Sequence, residues 1–339
     1  MKNRVETRAA PLGADFLRGL RFKAVVELAA PHTWGASIVP VLLAAAFSAS
    51  MYGMFSAPLF YSLLLTSVCL QCAVNTLNDY TDFVKGVDTQ ENCTDPSDAS
   101  IIYNKLDPKL ALCTGIGFLL FAFLFGLYAL FTAGAELIVF GAAGALIVTL
   151  YSFGKSPIAA LPVGEAVSGA AMGGVITFAC VYAFTGALDW RILALSLPVV
   201  LSIGLIMLTN NASDIERDSG AERITLPVMI GRKNSVTLHV CLTVLAALIV
   251  LAAALVYFRA GLFLMPLLIP LVGFPEARIL KGGLTPGARA GSMSDIMKIQ
   301  WRLGLMYAVT ALSSVIEYEQ SGMSDFMRQF VQWMGAVLG

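Results

Sequence analysis

Residues 57–88 read APLFYSLLLTSVCLQCAVNTLNDYTDFVKGVD. The stretch opens as an apolar run of the length that crosses a bilayer and closes in carboxylates. Carboxylates beside hydrocarbon are costly, so they usually serve a function. A second stretch repeats the pattern: residues 191–212 are largely apolar, and 210–218 read NNASDIERD. Two such junctions in one chain point to a membrane protein with acidic chemistry at helix ends.

The composition agrees. Of 339 residues, 58% are hydrophobic and 13% charged, with mean hydropathy +0.78. An ordinary soluble domain carries about a quarter charged residues. The formal net charge is zero, which gives no footing for a nucleic-acid partner. Residues 1–24 are basic but not apolar, so no secretory signal is expected there. The six cysteines suggest no disulfide framework. Cys69 and Cys72 form one CxxC, inside an apolar span and without a second pair, so both read as small core residues.

The expected fold is all-α and polytopic, with about nine transmembrane helices in a bundle. Apolar runs place them near 25–48, 57–79, 109–132, 135–153, 161–184, 191–212, 237–257, 260–277 and 299–316. The organisation expected is a basic cytoplasmic segment 1–24, a transmembrane domain 25–316 and a tail 317–339. Part of that tail, 322–338, has the pattern of an interfacial amphipathic helix. Of the 22 Lys and Arg residues, all but Arg191, Arg259 and Arg328 fall on one side of this topology. The positive-inside rule makes that side cytoplasmic. The spans 57–79 and 191–212 then both run inward and bring their acidic ends to the same face.

On a helix, Asn75, Asp79 and Asp82 share one face, and so do Asn211, Asp214 and Asp218. Paired hard oxygen ligands suit Mg²⁺, which takes one or two carboxylates together with phosphate oxygens and water. A diphosphate is therefore the expected substrate group. Lys85, Arg223, Arg232 and Lys233 are placed to neutralise it. Gly86 and Gly220 suit a change of direction after each acidic cluster. His32 and His239 have no acidic cluster near them in sequence and read as interfacial residues.

At these residues the chain resembles the UbiA superfamily of intramembrane aromatic prenyltransferases. The superfamily's N-D-x-x-D motif with a further Asp is matched by Asn78, Asp79, Asp82 and Asp88, and its D-x-x-x-D by Asp214 and Asp218. The wording NDYTDFVKGVDT, together with NNASDIERDSGAERITLPVMIGR, is similar to the menaquinone branch, the 1,4-dihydroxy-2-naphthoate polyprenyltransferases. Pro31-His32-Thr33, Tyr151 with Pro157, and Gly164-Glu165 support the likeness. Ala30 stands where the family usually has Arg before the proline, and 90–108 lacks the basic, Gly-containing stretch of many relatives.

The resemblance implies a helical bundle around a central cavity open to the bilayer on one side. It implies Mg²⁺ as cofactor, held by Asp79, Asp82, Asp88, Asp214 and Asp218. The donor would be a polyprenyl diphosphate and the acceptor an aromatic ring. Asn75, Asn78, Lys85, Asn211, Arg223 and Tyr151 are the expected substrate contacts. Glu165, at the start of the fifth span, reads as a general base for a phenol. Its alternative is a solvated residue favoured by the helix dipole. The expected location is the cell membrane, and the sequence names no protein partner. Prenylation of 4-hydroxybenzoate, homogentisate, a tetrapyrrole or a lipid is the alternative within the superfamily. A transporter is the alternative outside it, although transporters keep such charges near mid-bilayer.

Overall fold

The structure, a computed structural model, describes residues 22–86, 100–152, 157–319 and 333. These residues are helical, with no strand among them. The segment 1–21, Asp88 and most of the tail lie outside the described residues, as does the side chain of Lys85.

The helices in chain order are α1 (Phe22–Ala29), α2 (Gly35–Tyr52), α3 (Ala57–Lys85), α4 (Ser100–Tyr103), α5 (Pro108–Ala133) and α6 (Leu137–Ser152). Then come α7 (Gly164–Gly169), a π-helical turn (Ala170–Val175) and α8 (Ile176–Thr185). They are followed by α9 (Arg191–Ser213), α10 (Ile215–Gly220), α11 (Leu226–Ile230), α12 (Arg232–Val256), α13 (Leu268–Gly282) and α14 (Arg289–Glu319). Among the described residues, seven helical stretches are long and apolar enough to cross a membrane, and the chain is a multi-pass membrane protein. Leu137–Tyr151 is apolar but shorter, and α14 is not among the seven. The count of nine remains an expectation.

Two spans differ from their sequence reading. The run 25–48 is broken at residues 30–34. Pro31 has no N–H to continue a helix and disfavours the helical region for Ala30, which takes φ 46°. The run 260–277 lies within one helical stretch long enough to span, Arg259–Gly282, but that stretch is not α-helical throughout. A 3₁₀ stretch, Arg259–Leu267, precedes α13, and Pro266 lies at the changeover.

The chain divides into two compact units. One comprises the described residues of Met1–Pro31 and Cys69–Leu120. Ala24, Leu28, Ile101, Leu106 and Ala111 form its core, with Tyr80 and Phe83 packed against them. The other comprises the described residues of His32–Val68 and Phe121–Gly339. Here α14 packs against α2, α9 and α13. Phe47 stacks on Phe258 with centroids 5.6 Å apart and meets Tyr307 edge-on at 5.4 Å.

Burial sorts the helices by surroundings. The best apolar window of α2 is 72% buried, whereas that of α5 is 22% buried. Exposed Phe121, Phe123 and Phe131 on α5 fit a face turned to lipid.

Candidate active site

The first acidic motif lies in the unit containing Cys69–Leu120. α3 continues unbroken through Lys85, so the spacing of Asn75, Asp79 and Asp82 does put them on one face. Tyr80 and Phe83 turn inward to the core, and this fixes the roll of the helix end. Asp79 Oδ2 accepts a hydrogen bond from the backbone N–H of Ser100 at 3.3 Å, a capping contact at the start of α4. Asn75 Nδ2 donates to Ala29 O at 3.2 Å, and its Oδ1 accepts from Gln71 Nε2 at 3.1 Å. Asn75 thus holds the end of α1. Asn78 and Asp82 are half-buried. Gly86 takes φ 69°, the left-handed turn expected of it.

The second motif lies in the other unit and departs from its sequence reading. Asn211, Asp214 and Asp218 do not share one uninterrupted helix. α9 ends at Ser213, Asp214 sits at the junction with φ −109° and ψ 19°, and α10 carries Asp218. Aspartate is a poor interior helix former, and here its carboxylate is held from outside the helix. Arg289 Nε donates to Asp214 Oδ2 at 3.2 Å, and Arg289 Nη2 donates to Asn210 Oδ1 at 2.7 Å. α10 ends at Gly220, where a change of direction is expected, and Glu222 follows with φ 57°.

Asp218 is 3% exposed. Its carboxylate meets Arg223 Nη1 at 3.3 Å and accepts from Thr225 Oγ1 at 3.3 Å. Burial pushes its pKa up, Arg223 opposes the shift, and the nearby Asp214 charge adds to it. Arg223 Nη2 also donates to Ala159 O at 3.3 Å, and Ile224 N–H donates to Ala160 O at 3.0 Å. These bonds join the segment after Asp218 to the loop that leads into α7.

Glu165, in the first turn of α7, is buried at 6% exposure, so it is not a solvated helix-end residue. Asn211 Nδ2 donates to its Oε1 at 2.8 Å. Its Oε2 is buried without a hydrogen-bond partner, and the same holds for Tyr151 Oη at the end of α6. Tyr151 lies near Glu165, Ser168 and Arg223.

Glycines bring Glu165 and Asn211 together. A Cβ on Gly169 would lie 2.4 Å from Val200 O, and one on Gly173 would lie 2.5 Å from Val200 N. A Cβ on Gly204 would lie 3.1 Å from Glu165 O. Only hydrogen fits at Gly169 and Gly173, and a methyl at Gly204 would be tight, so the α7–α8 stretch lies backbone-to-backbone on α9. Sequence reasoning did not single out this Gly169-x-x-x-Gly173 pair, although its spacing was the available signal.

Arg232 pairs with Glu216, between the two aspartates of the motif, at 2.7 Å, and it donates to Ala212 O at 3.3 Å and to Leu284 O at 2.9 Å. Chiefly the hydrogen bonds from Arg232 lower the Glu216 pKa. His239 is fully buried rather than interfacial. Its Nδ1 lies 2.8 Å from Glu276 Oε1 and its Nε2 lies 3.1 Å from Thr209 Oγ1. The signal missed was a histidine and a glutamate inside apolar spans. Arg289 carried no signal, being 75 residues from the carboxylate it holds. Among the described residues, no three His, Cys, Asp or Glu side chains gather closely enough to hold a metal ion unaided.

The chain matches the UbiA prenyltransferase family over residues 37–293. It belongs to that family. The 1,4-dihydroxy-2-naphthoate octaprenyltransferase of Bacillus subtilis is 34% identical over 212 residues, 62% of this chain and 67% of that protein. A UbiA prenyltransferase domain-containing protein 1 homolog of Drosophila melanogaster is 29% identical, over 76% of this chain and 70% of that one. A UbiA homolog from Archaeoglobus fulgidus, solved bound to GPP and Mg²⁺, superposes with TM-score 0.57 at 15% identity. That superposition covers 86% of this chain and 99% of the homolog, and it shows a shared fold. The protein is a membrane-embedded prenyltransferase.

Proposed function

We propose that the chain transfers a polyprenyl group from its diphosphate to 1,4-dihydroxy-2-naphthoate, with Mg²⁺ as cofactor, in menaquinone biosynthesis. The observation that carries this reading is the pair of buried, unpartnered oxygens, Glu165 Oε2 and Tyr151 Oη, beside Asn211 and the Asp218–Arg223 pair. Buried polar atoms without partners are uncommon in folded proteins, and a bound ligand is one source of the missing hydrogen bonds. The likeness to the Bacillus subtilis naphthoate enzyme supports the acceptor, and the Archaeoglobus fulgidus homolog's bound GPP and Mg²⁺ support the donor and metal.

The donor chemistry of each motif, taken by itself, fits magnesium. Asp79, Asp82, Asp88, Asp214 and Asp218 offer only hard oxygen, and Mg²⁺ needs few of them once phosphate oxygens complete its shell. When bound, the ion neutralises charge that collects on the departing diphosphate. Arg223 and Lys85 add positive charge for the same group. Asn211 fixes Glu165 through Oε1 and leaves Oε2 to take the proton of a ring hydroxyl. The ring carbon bearing the carboxylate then bonds to the prenyl carbon as its C–O bond to diphosphate breaks. The carboxylate leaves as CO₂, which restores the aromatic ring, and Glu165 returns its proton. Apolar helices keep water from the allylic cation. Residues 25–316 form the catalytic domain, with the N-terminus and the acidic helix ends on the cytoplasmic side of the cell membrane.

The test is an acceptor assay. Membranes containing the protein should convert carboxyl-labelled naphthoate and a polyprenyl diphosphate, with release of labelled CO₂. Glu165→Gln should lower turnover at least about 100-fold, within the range of general-base contributions. Conversion of 4-hydroxybenzoate but not the naphthoate would overturn the acceptor.

A further inference from the structure

Arg289 opens α14 immediately after the 3₁₀ turn Pro286–Ala288. Its guanidinium reaches back to the end of α9 and bridges Asn210 Oδ1 at 2.7 Å and Asp214 Oδ2 at 3.2 Å. The Arg289 and Asp214 side chains are 17% and 16% exposed, so the pair is only weakly screened by water. Arg289 belongs to neither acidic motif. Yet it holds a carboxylate that the metal reading assigns to a divalent ion.

A cation already seated on Asp214 stands in the way of a second one. Two positive groups on one poorly solvated carboxylate repel, so Arg289 and the metal compete. Without any cation, Asp214 would lie beside buried Asp218 with their like charges opposed; the Asp214 charge already raises the Asp218 pKa. Arg289 relieves that repulsion while no ligand is bound. Once displaced, its planar fork of N–H donors needs an anion, and the fork matches a phosphate group.

We propose that Arg289 is the built-in counter-ion of Asp214 in the ligand-free enzyme, and that on metal binding it transfers to the diphosphate of the donor. The proposal rests on the metal reading of Asp214 given above. It makes Arg289 unfavourable for the metal and favourable for the diphosphate, a reversal of sign that a merely structural ion pair would not produce.

The experiment uses the full chain in nanodiscs. Mn²⁺ binding is followed by electron paramagnetic resonance without diphosphate, and inorganic pyrophosphate binding by calorimetry at saturating Mg²⁺. Arg289→Gln should bind Mn²⁺ roughly tenfold more tightly and pyrophosphate roughly tenfold more weakly, the scale of one charge-assisted hydrogen bond. Arg289→Lys keeps the charge and should hold Mn²⁺ affinity near the wild type, so a change common to both variants would mark a packing effect and overturn the proposal. Asp214→Asn should lose Mn²⁺ binding. If it does, but Arg289→Gln leaves Mn²⁺ affinity unchanged or lower, the counter-ion role is wrong and the metal reading stands. Unchanged pyrophosphate affinity in Arg289→Gln likewise overturns the transfer to diphosphate. If Asp214→Asn keeps its Mn²⁺, the metal reading falls and the proposal falls with it.

Discussion

Gly173→Ala puts the glycine crossing to a direct test. The added methyl would sit 2.5 Å from Val200 N, 2.6 Å from Val200 Cα and 2.9 Å from Val199 C. All are backbone atoms of α9, so no side chain can turn aside. Ordinary contact requires the two helices to part by about 1 Å, an overpacking that costs about 1–3 kcal/mol. The same movement strains the 2.8 Å hydrogen bond from Asn211 to Glu165, two turns along the crossing. A misplacement on the scale of an ångström can lower turnover about 100-fold. Because the shift fades along the helix, the expected loss is about 10–100-fold. Gly174→Ala is the control. Its methyl would meet only Val200 Cγ2, at 3.5 Å, and Ser196 Oγ, at 4.0 Å, both side-chain atoms. It should leave stability unchanged or raise it by about 0.5–1 kcal/mol through helix propensity. The assay is thermal denaturation in detergent with prenyl transfer measured on the same preparations. Equal melting temperatures and equal turnover in the two variants would refute the reasoning.

Asp214→Ala and Asp218→Ala should each cut prenyl transfer at least about 100-fold, the scale for losing a group that stabilises transition-state charge; full activity in either would remove that residue from the site. Arg223→Ala should raise the donor KM more than the acceptor KM, and the reverse split would contradict its role toward diphosphate. Asp295 is paired with Arg278 and Lys298 at 2.7 and 2.9 Å, and chiefly the Arg278 hydrogen bonds pull its pKa down to about 2. A depressed carboxylate adds stability above its unfolded pKa of about 4, and that stability fades as pH falls toward the folded value. Asp295→Asn should therefore melt lower than wild type at pH 7, with the gap narrowing below about pH 4; a gap that widens on acidification would refute the pairing.

Hydrophobic length made the helical membrane fold legible, because bilayer thickness imposes a period that survives any packing detail. The same reasoning mislocated breaks. It ran 25–48 and 260–277 as single α-helices although Pro31 and Pro266 were in view, since a proline inside an apolar run does not reveal whether it kinks or ends the helix. The acidic motifs were visible by spacing, but spacing assumed a continuous helix, and Asp214 interrupts one. Asn75 and Asp79 were read for what they would bind, not for the Ala29 and Ser100 backbone groups they hold. Arg289 and the Glu276–His239–Thr209 chain depend on contacts between helices distant in sequence, to which periodicity is blind.

Under the proposed function, the unpartnered oxygens of Tyr151 and Glu165 also bear on what the enzyme would refuse. A bilayer surrounds the protein with apolar molecules at far higher concentration than any aromatic acid, and shape alone discriminates poorly among them. On that reading, a ring hydroxyl that pairs with each oxygen would gain about 1–3 kcal/mol apiece over a guest without hydroxyls, a preference of roughly 30-fold to 10⁴-fold. O-methylated or hydrocarbon rings would forgo the same gain. Under the proposed function, the two oxygens would thus act as a filter against the solvent in which the protein is dissolved.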